Sequence, residues 1–173
     1  MKKLSILILL LSFMVQPTFS QSKKELKAEK KQEDYLKIKE LINSKQYEFT
    51  GEWATSSKGK RINLMSNPTY MKIDNTTGDG FFPFFGTSFS GSGYGLGSGG
   101  IEFKNELKEY EVTFNDKKQT ATIKFKVDGE NDNYDVTTKV FAEGNTTIII
   151  NSNNRSVMNY SGKTKALEKK ETK

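Results

Sequence analysis

The stretch EYEVTFNDKKQTATIKFKV, residues 109–127, decides the fold class of this chain. Its apolar side chains occupy alternate positions on both sides of a turn at Asn115-Asp116, and they are Tyr110, Val112, Phe114, Ala121, Ile123, Phe125 and Val127. Alternation with a period of two places these side chains on one face of a strand and the polar ones on the other. We therefore expect an antiparallel hairpin with one apolar face and one solvated face.

The same alternation extends over the surrounding sequence. It begins at Tyr47 and Phe49, which predicts that Trp53 continues the inward face, and it ends near Tyr160. Residues 47–162 therefore predict a mainly β domain of about eight to ten short antiparallel strands. Strands of this kind close into a barrel or fold over as a β-sandwich, and the pattern alone leaves both open.

A charged helix is expected before the strands, within residues 21–46. Ser22 and Glu25 have the spacing of a capping box, which satisfies the first amides of a helix. The second half of the segment carries an apolar stripe at helical spacing, formed by Tyr35, Leu36, Ile38, Leu41 and Ile42. We expect that half to dock on the β domain and the first half to stay solvated. A helix that binds a partner is the alternative.

The chain begins with the pattern of an export signal. Two lysines precede an apolar run from Leu4 to Val15, and small residues follow up to Ser20. Residues 1–20 are therefore the predicted signal peptide, with Gln21 at or near the start of the mature chain. Because there is no Cys, neither a lipid anchor on Cys nor a disulfide is available. We expect a periplasmic or secreted protein that does not span the membrane after cleavage.

The basic charge of the chain lies in its flanks. The formal net charge is +6, yet residues 47–162 carry 12 basic and 14 acidic side chains. The excess of lysine falls in residues 22–46 and in residues 163–173, a Lys-rich tail that we expect to be flexible. A nucleic-acid-binding domain presents its basic patch on the folded body. The sequence therefore does not indicate nucleic acid as a partner.

The composition restricts the chemistry open to this chain. It has no His and no Cys, which excludes Ser-His-Asp and Cys-His hydrolases, His-ligated zinc and thiol redox chemistry. Gly95, Gly97 and Gly100 have the spacing of a dinucleotide fingerprint, but a strand rather than a helix is predicted to follow. Acids alternate from Asp128 to Asp135 without the glycine and the final carboxylate of a calcium loop, which predicts a solvated hairpin tip. We predict no catalytic residue, no metal ligand and no cofactor.

The most unusual segment is Phe81–Gly100, which opens with four phenylalanines and continues as a glycine-rich loop. Asn75–Gly80 before it has the composition of a turn. Phenylalanine supplies apolar contact and glycine lets a ligand approach the backbone, so we expect a ligand to contact Phe82, Phe84, Phe85, Gly86, Tyr94 and Leu96. The other interpretations are a core strand before a flexible loop, and a protein interface. Residues 90–99 are expected to be mobile until something docks beside them.

Several of these segments together resemble a known family. They are the Lys/Glu-rich helix, Phe82-Pro83-Phe84-Phe85-Gly86 with the glycine loop, Gly100-Ile101-Glu102-Phe103, and Arg155 followed by Tyr160-Ser161-Gly162. Over most of residues 35–162 the chain is similar to domain of unknown function 4251, an uncharacterised family of exported Bacteroidetes proteins. The usual element of that family is Leu-Pro-Tyr-Phe-Gly, so Phe82 and Phe84 stand in place of a leucine and a tyrosine. The resemblance implies a lipocalin-like antiparallel barrel and no known activity.

The sequence thus predicts an exported, non-enzymatic domain that binds a small apolar or amphipathic ligand near Phe81–Gly100. The alternative is a structural or protein-interaction module of the cell envelope. The interior of the domain separates the two functions. An open cavity of roughly 300–1,000 Å³ favours a small ligand, whereas a packed interior with an exposed aromatic patch of more than a few hundred Å² favours a protein partner.

Overall fold

The computed structural model describes residues 22–88, 100–130 and 132–168. Over these ranges the chain forms one helix and ten strands. In chain order they are α1 (Lys23–Asn43), β1 (Gln46–Ser56), β2 (Arg61–Asn63), β3 (Tyr70–Asp74), β4 (Thr77–Pro83), β5 (Gly100–Glu106), β6 (Lys108–Asn115), β7 (Thr120–Asp128), β8 (Asn133–Phe141), β9 (Asn145–Asn151) and β10 (Met158–Ala166). The predicted signal peptide, the ligand-contact candidates Tyr94 and Leu96, and the predicted mobile loop 90–99 lie outside the described residues.

All ten strands belong to one antiparallel sheet. Its order is β5-β4-β3-β1-β10-β9-β8-β7-β6, and the short β2 pairs with β1. The sheet curls until β5 approaches β7, where the Asn105 side chain donates a hydrogen bond of 2.8 Å to the Asp128 carbonyl. The result is a nearly closed barrel preceded by one helix. This confirms the predicted fold class, with the barrel rather than the sandwich as its architecture.

The hairpin predicted from residues 109–127 is formed by β6 and β7. Asn115 pairs with Thr120 across a four-residue turn, which is longer than the tight turn expected at Asn115-Asp116. On β7 the four alternating apolar side chains are buried, while Lys124 and Lys126 are exposed. The apolar side chains of β6 are only half-buried, because β6 is the last strand of the sheet.

Aromatic rings fill the interior of the barrel. The Phe82 ring lies 6.1 Å from that of Phe49, 6.3 Å from that of Phe103 and 4.8 Å from that of Tyr160, measured between centroids. Phe103 in turn lies 6.5 Å from Phe125. None of these five side chains is more than 2% exposed. We call them the ring cluster, and it crosses the interior from β1 to β7.

The glycines before the phenylalanines lie within a strand, so the predicted turn at Asn75–Gly80 is shorter than expected. Gly78 and Gly80 are buried positions of β4. A Cβ on Gly80 would come within 2.6 Å of the Phe103 ring, and one on Gly78 would come within 2.6 Å of Leu107. The missing side chains therefore make room for the ring cluster, and the inward face of β4 continues to Phe82.

Trp53 does not continue the inward face, and this prediction is wrong. A β-bulge between Gly51 and Trp53 shifts the pairing of β1 with β10. One extra residue reverses the facing of every side chain beyond it. Ala54 is consequently buried, whereas Trp53 is half-buried on the other face. There the Arg61 guanidinium covers the indole at 4.2 Å from its centre.

Helix α1 begins with the predicted capping box. The Glu25 amide donates to the Ser22 hydroxyl at 3.3 Å, and the Ser22 amide donates to the Glu25 carboxylate at 2.8 Å. The described residues divide after Lys30 into two units. The described side chains of the first unit, residues 22–30, are all exposed, as expected for the solvated half.

The second half of α1 docks as predicted, except that Leu36 of the predicted stripe is exposed. Tyr35, Ile38 and Ile42 are buried. The Tyr35 hydroxyl and the Lys39 ammonium both donate hydrogen bonds to the Asp116 carboxylate in the β6–β7 turn, at 2.8 and 3.0 Å. Burial, together with the bond to Asp116, raises the pKa of Tyr35 to about 12. The second half of the helix is therefore fixed to one end of the barrel.

Strand β10 extends the barrel beyond its predicted limit. The sequence predicts an end at Gly162 and a flexible tail from Lys163, but the strand runs to Ala166. Thr164 is buried, and its hydroxyl lies 2.7 Å from that of Thr146. The first four residues assigned to the tail therefore belong to the sheet.

Candidate functional site

The described ligand-contact candidates have three different environments. Phe82 belongs to the ring cluster and is completely buried, so it is a core residue. Phe84 is half-buried and packs against the core, whereas Phe85 is 39% exposed. Because β4 ends at Pro83, residues 84–88 leave the sheet. We call them the rim segment, since they lie at the end of the barrel where β10 begins.

The rim segment is held by the loop between β9 and β10. The Thr87 amide donates to the Ser156 hydroxyl at 2.9 Å, and the Ser156 amide donates to the Thr87 carbonyl at 2.8 Å. A Cβ on Gly86 would overlap the same hydroxyl, which explains the glycine at this candidate position. The Tyr160 hydroxyl donates at 2.8 Å to the Pro83 carbonyl and so fixes the end of β4.

Arg155 connects the described residues on either side of residues 89–99. Its guanidinium donates at 2.8 Å to the Gly100 carbonyl, and its backbone forms a β-bridge with Ser88. The same guanidinium lies 5.1 Å from the centre of the Phe84 ring. A planar cation is attracted to an aromatic face at this distance. One side chain thus organises the rim segment and the start of β5 together.

Arg155 also faces a buried carboxylate. The Asp132 side chain is only 5% exposed, and its Oδ2 lies 3.9 Å from the Arg155 Nε without a hydrogen bond from any described residue. Its Oδ1 accepts from the Asn154 side chain at 3.2 Å and from the Asn133 amide at 2.9 Å. A buried carboxylate is costly unless it is paired. Asp132 therefore links the β7–β8 turn to the rim. Because it is buried, the prediction of a solvated hairpin tip is wrong for this residue.

Two buried phenols lie close to this charge pair. Burial raises the pKa of Tyr160 far above its ordinary value, although Arg155 opposes part of that shift. Burial likewise raises the pKa of Tyr134; Arg155 lowers it and Asp132 raises it. Both phenols are consequently protonated at neutral pH. They can act there as hydrogen-bond donors, as Tyr160 does, and not as bases.

Outside the ring cluster, described residues line at least two cavities. The first, of about 370 Å³, is polar and is lined by Gly129, Glu130, Asp132, Asn133, Asn153 and Asn154. The second, of about 480 Å³, extends from β3 to β5 and presents mostly apolar surface, although its lining residues include Lys72, Asp79, Lys104 and Glu106. None of the described ligand-contact candidates lines either cavity. Within the described ranges, no three acidic side chains come together in a group that could hold a metal ion.

Apolar surface is exposed at the rim itself. Phe85 is 39% exposed and Val157 is 37% exposed, and each is the chain neighbour of a residue in the Gly86–Ser156 contact. The sequence prediction missed Ser156 and Val157, and it included Arg155 only through the family resemblance. Residues 152–157 carry no local pattern that distinguishes them from an ordinary loop. Their position depends on the pairing of β10 with β9 and β1.

Comparison with known proteins agrees with this architecture. The family model described as "Domain of unknown function (DUF4251)" matches residues 29–164. The crystal structure at 1.95 Å resolution of a DUF4251 family protein from Bacteroides eggerthii DSM 20697 is similar in fold, with a TM-score of 0.59 and 17% sequence identity. The similarity covers 77% of this chain and 87% of that one. No curated protein matches the chain.

Proposed function

Since the chain belongs to the DUF4251 family, we propose that it is a non-enzymatic binding domain of the cell envelope whose barrel rim binds a partner protein. The binding surface is formed by Phe85 and Val157, with Arg155 and Phe84 beside them. The observation that carries the proposal is the filled interior. A barrel whose lumen is occupied by its own rings binds other molecules at its surface.

A protein partner fits this surface better than a small apolar ligand. Small ligands bind in concave sites that bury most of their own surface, and Phe82, which would line such a site, is already covered on every side. At the rim, by contrast, two apolar side chains are exposed beside an arginine stacked on an aromatic ring. Aromatic residues and arginine are enriched at the centres of protein interfaces.

Export and the absence of catalysis belong to the same proposal. The first twenty residues have the pattern of a cleaved signal, so the partner would be a protein of the periplasm or of the envelope. No helix among the described residues is long and apolar enough to cross a membrane. The chain lacks His and Cys, and the phenols near the rim remain protonated, which supports a binding role.

Site-specific photo-crosslinking tests the proposal. A photoreactive amino acid is placed at position 85, at position 157, or at position 141 as the control, and the protein is irradiated in the envelope of the producing cells. Phe141 is a matched control, since it is also 39% exposed and lies at the other end of β8 from the rim. We expect one and the same protein to be captured from positions 85 and 157 and not from 141.

The affinity of the captured protein is then measured by titration calorimetry. Phe85→Ser should weaken binding by roughly tenfold or more, as truncation of an interface aromatic does, while Phe141→Ser leaves it unchanged. Native mass spectrometry of the exported protein tests the other predicted function, which is the binding of a small apolar ligand. A retained small molecule that is lost in Phe85→Ser, without any crosslinked protein, would contradict the protein partner and favour a ligand at the rim.

A further inference from the structure

The first turns of helix α1 carry a charged surface of their own. Lys23, Lys24, Lys27 and Lys30 lie within about 120° of the helix circumference, because successive residues are about 100° apart. Glu25 and Glu29 project from the opposite side by the same geometry. We call these four side chains the lysine face. The acids of this segment therefore do not interrupt it.

The charges of the lysine face are not neutralised by the described part of the chain. All four side chains are exposed, and none forms an ion pair with a described residue. Lys37, further along the same helix, shows the contrast, since it lies 3.0 Å from the Glu33 carboxylate. The capping box at Ser22 and Glu25 keeps the first turn helical. The lysines are thus presented on a regular scaffold.

We propose that the lysine face binds an anionic membrane surface through phospholipid headgroups. The barrel domain has no comparable excess of basic charge, because residues 47–162 carry 14 acidic against only 12 basic side chains. Each lysine close to an anionic bilayer strengthens partitioning by roughly fivefold. Leu26 is the only large apolar side chain among residues 22–30. Binding is therefore electrostatic and reversible, with the helix on the surface and not inserted.

Vesicle flotation with the chain recovered after export tests this proposal. One set of vesicles contains phosphatidylethanolamine with phosphatidylglycerol, and the other contains phosphatidylethanolamine with phosphatidylcholine. We expect binding to the first set only, and its loss at high salt because ions screen exposed charges. The partition coefficient should fall by more than about 100-fold in the variant that combines Lys23→Gln, Lys24→Gln, Lys27→Gln and Lys30→Gln. Glutamine and lysine have similar helix propensities, so circular dichroism should stay unchanged.

The matched control removes four lysines elsewhere. The control variant changes the net charge by the same amount as the lysine-face variant. It combines Lys58→Gln, Lys60→Gln, Lys117→Gln and Lys118→Gln, all of which are exposed residues of the barrel domain. We expect binding within about threefold of the parent for this control. Replacement of the lysine face by four arginines should retain binding, because the charge is kept. Three results would overturn the proposal. They are an equal loss of binding in both glutamine variants, equal binding of the protein to both vesicle types, and binding of the protein to polyphosphate but not to anionic vesicles.

Discussion

Phe82→Ala removes a ring that is fully buried and that contacts Phe49, Phe103 and Tyr160. Truncation of a buried phenylalanine costs about 3–5 kcal/mol, because the apolar transfer energy is lost and a cavity remains. Three ring contacts are lost with it, so the upper part of this range is expected. In a domain of this size each kcal/mol lowers Tm by about 2–4 °C. At about 4–5 kcal/mol, Tm should therefore fall by about 8–20 °C.

Urea unfolding followed by circular dichroism measures this loss, with two controls. Phe82→Leu should cost only about 1–2 kcal/mol, since most of the buried apolar volume is kept. Phe85→Ala at the exposed rim should cost less than about 1 kcal/mol. An unchanged midpoint for Phe82→Ala would refute the placement of this ring in the core. It would also restore the interpretation of Phe82 as a ligand contact.

Two further predictions concern Trp53 and Asp116. Trp53→Ala should lower the free energy of unfolding in urea by only about 1 kcal/mol, because the indole is half-buried and its main partner is the Arg61 guanidinium. Truncation of a core aromatic costs about 3 kcal/mol or more, and a loss of that size would mean that the bulge is misplaced. Hydrogen bonds from Lys39 and Tyr35 hold the pKa of Asp116 below its ordinary value of 3.8. The stability this gives is fully present above that value and is lost as pH falls through the lower folded-state pKa. The difference in stability between the parent and Asp116→Asn should therefore shrink as pH falls below about 5; a difference independent of pH would contradict the role of the carboxylate charge.

The parts of the fold that depend on local sequence were predictable. Strand β7 is an example, since its alternation fixes the facing of Phe125 and its neighbours within one strand. Closure of the barrel is not local in this sense. It depends on the curl that brings Asn105 of β5 to the carbonyl of Asp128 on β7, and no pattern within either strand encodes that approach. The choice of barrel over sandwich therefore came from the family resemblance.

The errors also have identifiable physical causes. The bulge after Gly51 inserts one residue into β1, and the alternation of Tyr47 and Phe49 gives no warning of it. The glycines of β4 resemble those of a turn, but Gly80 lies in a strand and is a glycine because the Phe103 ring occupies the space that its Cβ would take. In both places a contact between distant strands decides the local structure. Composition and periodicity cannot report such contacts.

The residues that carry the family resemblance meet at one end of the barrel. Tyr160 bonds to the carbonyl of Pro83, and Arg155 bonds to that of Gly100 and covers Phe84. These contacts use the polar groups of the shared elements to build the rim, so these groups are occupied within the domain. Among the large apolar side chains described at the rim, Phe85 and Val157 remain exposed. These contacts therefore account for the frame of the surface. Under the proposed function, the choice of partner depends on the side chains that this frame presents.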